Sequence, residues 1–349
     1  MIGEKFWTDL FDINHKLYNI FDQLKEVNEI DTEPSPKELE TTFDNVKLYH
    51  YKQSKRKKCP TPILIVYALV NRYYMMDLQK DRSFISKLLE NGLDIYIIDW
   101  DYPERADRYR TMEDYIDGYI NDCVDYIREK HKLDKINLLG VCQGGTFSVI
   151  YSALYPEKIK NLVTMVTPVD FDTDDGLLNV WSRYIDVDKL VDAYGNISGD
   201  FMNIGYLMLK PFQLNFEKYY NFIKSTNQLE DLKNFLRMEK WIFDSPDQAG
   251  ETFRKFIKEL YQQNKLAKGE FKLGGRKVNL KKITMPILTV YAEQDHLVPP
   301  ASTKPLNDLV GSKDKTLLSF KGGHIGIYVS SRSQKELAPT VAKWIMERS

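Results

Sequence analysis

Cys142, Asp295 and His324 lie far apart in the chain, yet their types together can perform acyl transfer. A thiol attacks, an imidazole takes its proton, and a carboxylate orients the imidazole. Cys142 sits in Gly140-Val-Cys-Gln-Gly-Gly-Thr146, between the apolar run that begins at Lys135 and a helical pattern. Gly140 and Gly144 flank it at i−2 and i+2, where a Cβ would collide as the chain reverses from strand to helix. The segment reads as a nucleophile elbow with cysteine where serine is usual. A helix starting at Gln143 would aim its first N–H groups and positive dipole end at the sulfur, which favours thiolate. The competing reading is a structural cysteine beside a glycine turn, and the strand–elbow–helix context argues against it.

His324 follows a strand-like run from Lys315 and the pair Gly322-Gly323, and Asp295 closes the run that starts at Met285. Nucleophile, acid and base therefore occur in the order that this elbow requires, each after a strand. A backbone-bonded loop histidine and a turn-capping aspartate are the plainer alternatives; Asp101 and Asp170, near other strand ends, are weaker candidates for the acid. Acyl transfer also needs two fixed N–H donors for the oxyanion. These are expected from the backbone of Gln143 and of Val70, in the turn after the run ending at Leu69. A cysteine can take an acyl group from a thioester and keep it activated, since thiol and thioester exchange near equilibrium. Passing that group to an alcohol then runs downhill, although a cysteine hydrolase would use the same parts.

The elements that must position these groups are visible in the hydrophobic pattern. Pro62–Val70, Asp94–Trp100, the run before Cys142 and Asn161–Pro168 are nearly continuous apolar runs, as parallel strands buried on both faces require. Asn45–Tyr51 alternates like an antiparallel strand. Helical patterns over Asp77–Asn91 and Met112–Lys130 separate the runs, which predicts an α/β, mostly parallel doubly wound sheet of the α/β-hydrolase kind. From about Asp172 to Lys282 the alternation stops and an aromatic, helical stretch intervenes, with a small hairpin expected at Phe271–Val278. We expect four parts: an N-terminal amphipathic helix (Phe6–Leu24) and acidic linker over 1–40, the first part of the core over 41–171, an inserted helical cap over 172–282, and the second part of the core over 283–349, closed by a helix over Lys335–Met346. The cap's aromatics read as core or as one wall of a substrate channel.

Composition narrows the function. The 349 residues are 43% hydrophobic with a formal net charge of −1, which gives no footprint for nucleic acid. The basic run Lys55-Arg56-Lys57-Lys58 reads as a solvated loop. Three cysteines with no metal-ligand spacing argue against a disulfide framework or a metal site and for a reducing cytoplasm. No signal peptide and no membrane span are expected.

The motifs resemble the catalytic subunit of class III polyhydroxyalkanoate synthases. Besides the elbow, the resemblance is carried by Tyr67-Ala-Leu-Val-Asn-Arg72, Asp99-Trp100, Met165-Val-Thr-Pro-Val-Asp170, Asn234-Phe-Leu-Arg-Met-Glu-Lys-Trp241, Gln294-Asp-His-Leu-Val-Pro-Pro300 and Gly322-Gly-His-Ile-Gly-Ile-Tyr328. Tyr73 departs from the pattern, which would place proline there. The resemblance implies polymerisation of (R)-3-hydroxyacyl-CoA, chiefly 3-hydroxybutyryl units, into polyester, with coenzyme A as leaving group and no cofactor. Cys142 would carry the acyl chain, His324 would act as base, and Asp295 would activate a 3-hydroxyl group, a role different from orienting His324. It also implies that His296 contacts the pantetheine arm, although a plain turn histidine fits the residues equally. A homodimer, a small partner subunit and residence on intracellular polyester granules are further implications. The alternatives are a cysteine-dependent hydrolase, such as a CoA thioesterase or a dienelactone-hydrolase-like enzyme, and a non-catalytic granule coat.

Overall fold

The computed structural model describes residues 4–27, 29–52 and 59–349. The run Lys55–Lys58 lies outside the described residues.

Among the described residues eight strands form one sheet: β1 (Lys37–Phe43), β2 (Val46–Tyr51), β3 (Ile63–Val66), β4 (Ile95–Asp99), β5 (Ile136–Val141), β6 (Ile159–Met165), β7 (Ile287–Ala292) and β8 (Lys315–Phe320). Their spatial order is β1-β2-β4-β3-β5-β6-β7-β8. β1 and β2 pair antiparallel, as do β2 and β4, and every later pairing is parallel. Parallel neighbours need crossovers, and the helices that supply them cover both faces. Alternate residues accordingly enter two separate cores, Leu64, Val66, Leu138 and Leu162 on one side and Ile63, Ile65, Leu139 and Val163 on the other. This is why those runs are apolar throughout rather than alternating.

The doubly wound reading of the sheet agrees with this architecture, and the N-terminal amphipathic pattern forms α1 (Glu4–Leu24). Several element boundaries differ from those expected. β1 starts at Lys37, inside the stretch expected to be linker, and turns into β2 through Asp44 in a left-handed conformation (φ 52°). Its burial is irregular and partial, as befits an edge strand, so it lacks the apolar signature. The helix expected from Asp77 begins only at Phe84 (α2, Phe84–Glu90). Before it, Asp77–Gln79 pairs with Arg82–Ser83 in a short ribbon. Buried Asp77 accepts bonds from Ser35 and Ser83, and Ser83 in turn caps α2 by accepting the Ser86 N–H at 2.8 Å. The pattern over Met112–Lys130 becomes a π-helical stretch, Asp114–Ile120, continued by α3 (Asn121–His131). The closing helix proper is Ala338–Met346, because Pro339 can sit only in a first turn, and a π-helical turn over Ser333–Leu337 precedes it.

The elbow depends on close packing between β5 and the helix that follows it, α4 (Gln143–Leu154). Between β6 and β7 lie six α-helices: α5 (Leu177–Ser182), α6 (Val187–Tyr194), α7 (Gly199–Met208), α8 (Lys218–Ser225), α9 (Leu229–Phe243) and α10 (Gly250–Lys255). A ribbon of Lys272–Leu273 and Arg276–Lys277 follows, closed by Gly274 and Gly275, both at positive φ. This insertion occupies the stretch expected to form the cap, and keeps that name below. The N-terminal helix α1 packs against α8 and α9 on it.

A Cβ at Gly144 would lie 2.3 Å from the Val66 carbonyl oxygen and 2.4 Å from that of Tyr67. Backbone atoms of a central strand cannot step aside. Gly144→Ala is therefore expected to destabilise the chain by about 3 kcal/mol. Urea unfolding measures this, and a cost below about 1 kcal/mol would show a looser elbow.

Candidate active site

Cys142 has φ 53° and ψ −123°, a conformation rarely adopted by a residue with a Cβ. Its N–H donates to the Met165 carbonyl at 2.9 Å, and its own carbonyl accepts from Gly145 and Thr146 at 2.9 and 3.2 Å. These bonds fix the peptide on both sides and leave the side chain partly exposed at the tip. Cys59 and Cys123, by contrast, are buried. Burial pushes the Cys123 thiol well up, which keeps it protonated.

His324 Nδ1 lies 2.7 Å from Asp295 Oδ2. The other Asp295 oxygen accepts the N–H groups of Leu297 and Val298, both at 2.9 Å. That carboxylate is wholly shielded from solvent, and its lone pairs are engaged by donors on its own loop and by the imidazole. With Nδ1 taken by Asp295, Nε2 is the ring nitrogen left for the Cys142 sulfur, which is near enough to raise the proton affinity of His324. Burial alone would lower the affinity of His324 for its proton. The neighbouring Asp295 carboxylate and Cys142 sulfur outweigh it and raise the pKa to about 10. Of the alternative acids, Asp101 pairs with Lys47 at 3.0 Å and Asp170 accepts from Asn264 at 2.8 Å. Neither is the partner of His324.

The turn after β3 is tied to the elbow by a contact that sequence reading missed. The Leu69 N–H donates to the Gln143 side-chain oxygen at 3.1 Å. The amide one residue further, on Val70, and the backbone amide of Gln143 have no hydrogen-bond acceptor among the described residues. His296 is half-buried beside the pair. Burial, with the Lys210 ammonium and His324 nearby, lowers its pKa against the opposing pull of Asp295.

Four tyrosines lie within electrostatic range of the sulfur, Tyr67, Tyr206, Tyr261 and Tyr328, each held well above its ordinary pKa by burial first and by the Cys142 sulfur second or later. They remain neutral at the pH of any ordinary assay. Tyr67 and Tyr328 lie within motifs already singled out, whereas Tyr206 and Tyr261 come from the inserted stretch, where the aromatics were read only collectively, as core or channel wall. The buried Tyr328 hydroxyl has no hydrogen-bond partner among the described residues.

A strained cysteine elbow facing a His–Asp pair, at the carboxyl ends of a sheet in this order, defines an α/β hydrolase, and that fold family matches residues 61–331. Among solved structures, a Paleococcus ferrophilus monoacylglycerol lipase superposes with a TM-score of 0.56 at 16% identity, over 86% of this chain and 99% of that one. A thermophilic esterase from Thermogutta terrifontis gives 0.50 at 13% identity, over 90% and 99% of the two chains. At such identities the likeness shows the fold alone. Closer likeness runs through whole sequences. The chain is 53% identical over 347 residues to the poly(3-hydroxyalkanoate) polymerase subunit PhaC of Allochromatium vinosum, covering 99% of this chain and 98% of that protein. It is 51% identical over 349 residues to the PhaC subunit of Synechocystis sp., covering 97% and 92%. The chain belongs to the poly(3-hydroxyalkanoate) polymerase family, whose members are acyltransferases, as its motifs suggested.

The raised pKa of His324 has a sign that can be checked. Folded, the imidazole holds its proton up to about pH 10, against an ordinary value of about 6.5 when unfolded. The stability this contributes is fully present below about pH 6.5 and is lost as the pH rises through about 10. Asp295→Asn removes the strongest of the raising influences. NMR of labelled histidine is expected to show the His324 midpoint falling by more than about 1 unit. The gap in Tm between parent and variant should narrow as pH rises from 6.5 towards 10. An unchanged midpoint would contradict the assigned pairing.

Proposed function

We propose that the chain polymerises (R)-3-hydroxyacyl-CoA, chiefly 3-hydroxybutyryl-CoA, into polyester, releasing one coenzyme A per unit added. The observation that carries this reading is a cysteine at the elbow, within electrostatic range of the hydrogen-bonded His324–Asp295 pair, in a chain more than half identical along its length to a protein named a poly(3-hydroxyalkanoate) polymerase subunit.

Cys142 attacks the thioester carbonyl, and the oxyanion is received by the Gln143 and Val70 amides. The sulfur–carbon bond to coenzyme A breaks, the departing thiolate takes the proton held by His324, and the acyl group remains on Cys142 as a thioester. A 3-hydroxyl group from a second hydroxyacyl-CoA then attacks that thioester. His324 accepts the hydroxyl proton and returns it to the Cys142 sulfur as the ester forms. The elongated thioester re-acylates Cys142 and expels the second coenzyme A. The thiol carries the chain between cycles without loss of activation, which an oxoester on serine would sacrifice.

For Asp295 the bonding pattern supports the orienting role over direct activation of a substrate hydroxyl. Its oxygens are engaged by Leu297, Val298 and His324, so a substrate would have to displace one of them. Holding Nδ1 protonated presents Nε2 to the sulfur and stabilises the imidazolium. For His296, its place beside Asp295 and near Lys210 is compatible with a contact to the pantetheine arm.

A homodimer, a small partner subunit and residence on cytoplasmic polyester granules belong to the same reading. Supporting it, the relatives are named as subunits, and the cap and α1 expose large apolar side chains including Phe11, Tyr18, Phe21, Phe201, Phe212 and Phe216. Among the described residues no helix is long and apolar enough to cross a membrane.

The test follows free thiol and turbidity together when the pure chain, with and without a partner subunit, meets 3-hydroxybutyryl-CoA. Insoluble polyester forming in step with coenzyme A release is expected. Cys142→Ala should slow that release by about 10³-fold or more. Release accompanied only by soluble 3-hydroxybutyrate would assign the chain to the cysteine hydrolases instead, and unchanged release by Cys142→Ala would remove the covalent step.

A further inference from the structure

The turn after β3 carries Val70, and the residues just beyond it are bonded to the cap with unusual density. Asn71 is in the left-handed region (φ 56°), where asparagine is among the few tolerated side chains. Its amide nitrogen faces three acceptors at the end of α9 and just past it: the carbonyls of Trp241 and Ile242 at 3.2 and 3.1 Å, and Ser245 Oγ at 2.6 Å. In return, the Trp241 indole N–H donates to the Arg72 carbonyl at 2.8 Å. Tyr74 donates to Asp244 at 2.8 Å, and Tyr102 donates to the second oxygen of the same carboxylate. Ser245 and the Ile242 carbonyl are bonded in turn to Asn203 on α7. α7 also carries Tyr206, one of the tyrosines within electrostatic range of the sulfur.

The core contributes its own grip on the same turn. Leu69 is held by the Gln143 side chain, and Arg72 pairs with Asp99 at 3.0 Å while stacking on Tyr102 at 4.4 Å. Val70 therefore lies between one residue fastened to the elbow and one fastened to the cap. The shape of the turn is held by these bonds and by the φ of Asn71.

We infer that Asn71 is a positioning residue, which sets the Val70 amide for the oxyanion by bonding the cap, so that acylation of Cys142 depends on the cap being seated. This rests on the reading of Cys142 as acyl acceptor and Val70 as donor. No contact between Asn71 and the substrate is required. Loss of the latch leaves the thiol and its imidazole intact but lets the turn drift, and a donor displaced by about 1 Å forfeits most of its effect on the transition state.

The experiment compares two reactions at the same sulfur in the full chain. Alkylation of Cys142 by iodoacetamide needs the thiolate but no oxyanion donor, whereas single-turnover acylation by 3-hydroxybutyryl-CoA needs both. Asn71→Asp keeps the size and removes the N–H donors; Asn71→Gly keeps the backbone freedom and removes the side chain. Both are expected to slow acylation by about 30- to 100-fold, with half-saturation within about threefold of the parent. Alkylation should stay within about twofold of the parent. Parental acylation by Asn71→Gly would reduce the residue to a backbone role and overturn the inference, as would alkylation falling in step with acylation. Should thermal melts show the Asn71 variants unfolded, Ser245→Ala takes their place, with acylation about three- to tenfold slower expected and a parental rate overturning the proposal. Acylation of the parent followed only by hydrolysis would sink the polymerase reading and leave this one standing. A parent not acylated at Cys142 would sink both.

Discussion

A single residue in an unfavoured backbone conformation organises this molecule. A side chain at φ 53° costs on the order of 1–3 kcal/mol and persists only where its surroundings over-determine it. At Cys142 they do. The amide is held by β6, the carbonyl by the first turn of α4, and the glycines on either side let helix and strand approach to distances that a Cβ forbids. The buried sheet supplies the rigidity, and the sulfur is left at the tip, in reach of whatever the later strands bring to it.

What they bring is a charge arrangement that would be costly anywhere else. An imidazolium and two potential anions share a site largely closed to water, where an unpaired ion would be expelled by desolvation. Asp295 is made tolerable by two backbone N–H groups, and His324 by Asp295 and the sulfur together. The balance of those influences, not burial, decides the direction of the His324 shift. The tyrosines within range of the sulfur stay neutral, so they do not disturb that balance.

The helical insertion is bonded to the core beside the elbow. Its bonds to the turn bearing Asn71 and Arg72 converge on a few residues from Trp241 to Ser245, while α1 packs on its outer helices α8 and α9. The core carries Cys142, the later strands carry Asp295 and His324, and the helical insertion is bonded to the turn beside Val70.

Much of this was written in local pattern. The continuous apolar runs named β3 to β6 because strands buried on both faces cannot alternate, and the glycines around Cys142 named the elbow because no other residue fits there. Asp295 and His324 were legible from their order after strands. Three kinds of feature were not. Edge strand β1 and the ribbon before α2 owe their form to neighbours in space, such as Ser35 bonding Asp77 across 42 residues of chain, so their own sequences carry no period to read. Asp295 was preferred over Asp101 and Asp170 by order alone, but its bond to the imidazole and the separate partners of the other two are visible only in the fold. Tyr206 and Tyr261 come within range of an elbow far behind them in the chain, and Asn71 bonds Ser245 across 174 residues; nothing in local spacing specifies such meetings. The sequence by itself determined the elbow at Cys142, its bend and the layered sheet, since those follow from steric fit and burial along a few consecutive residues. Only the tertiary structure decided how charge is balanced around the sulfur and which bonds hold the turn at Val70, because both depend on distances between groups that the chain brings together last.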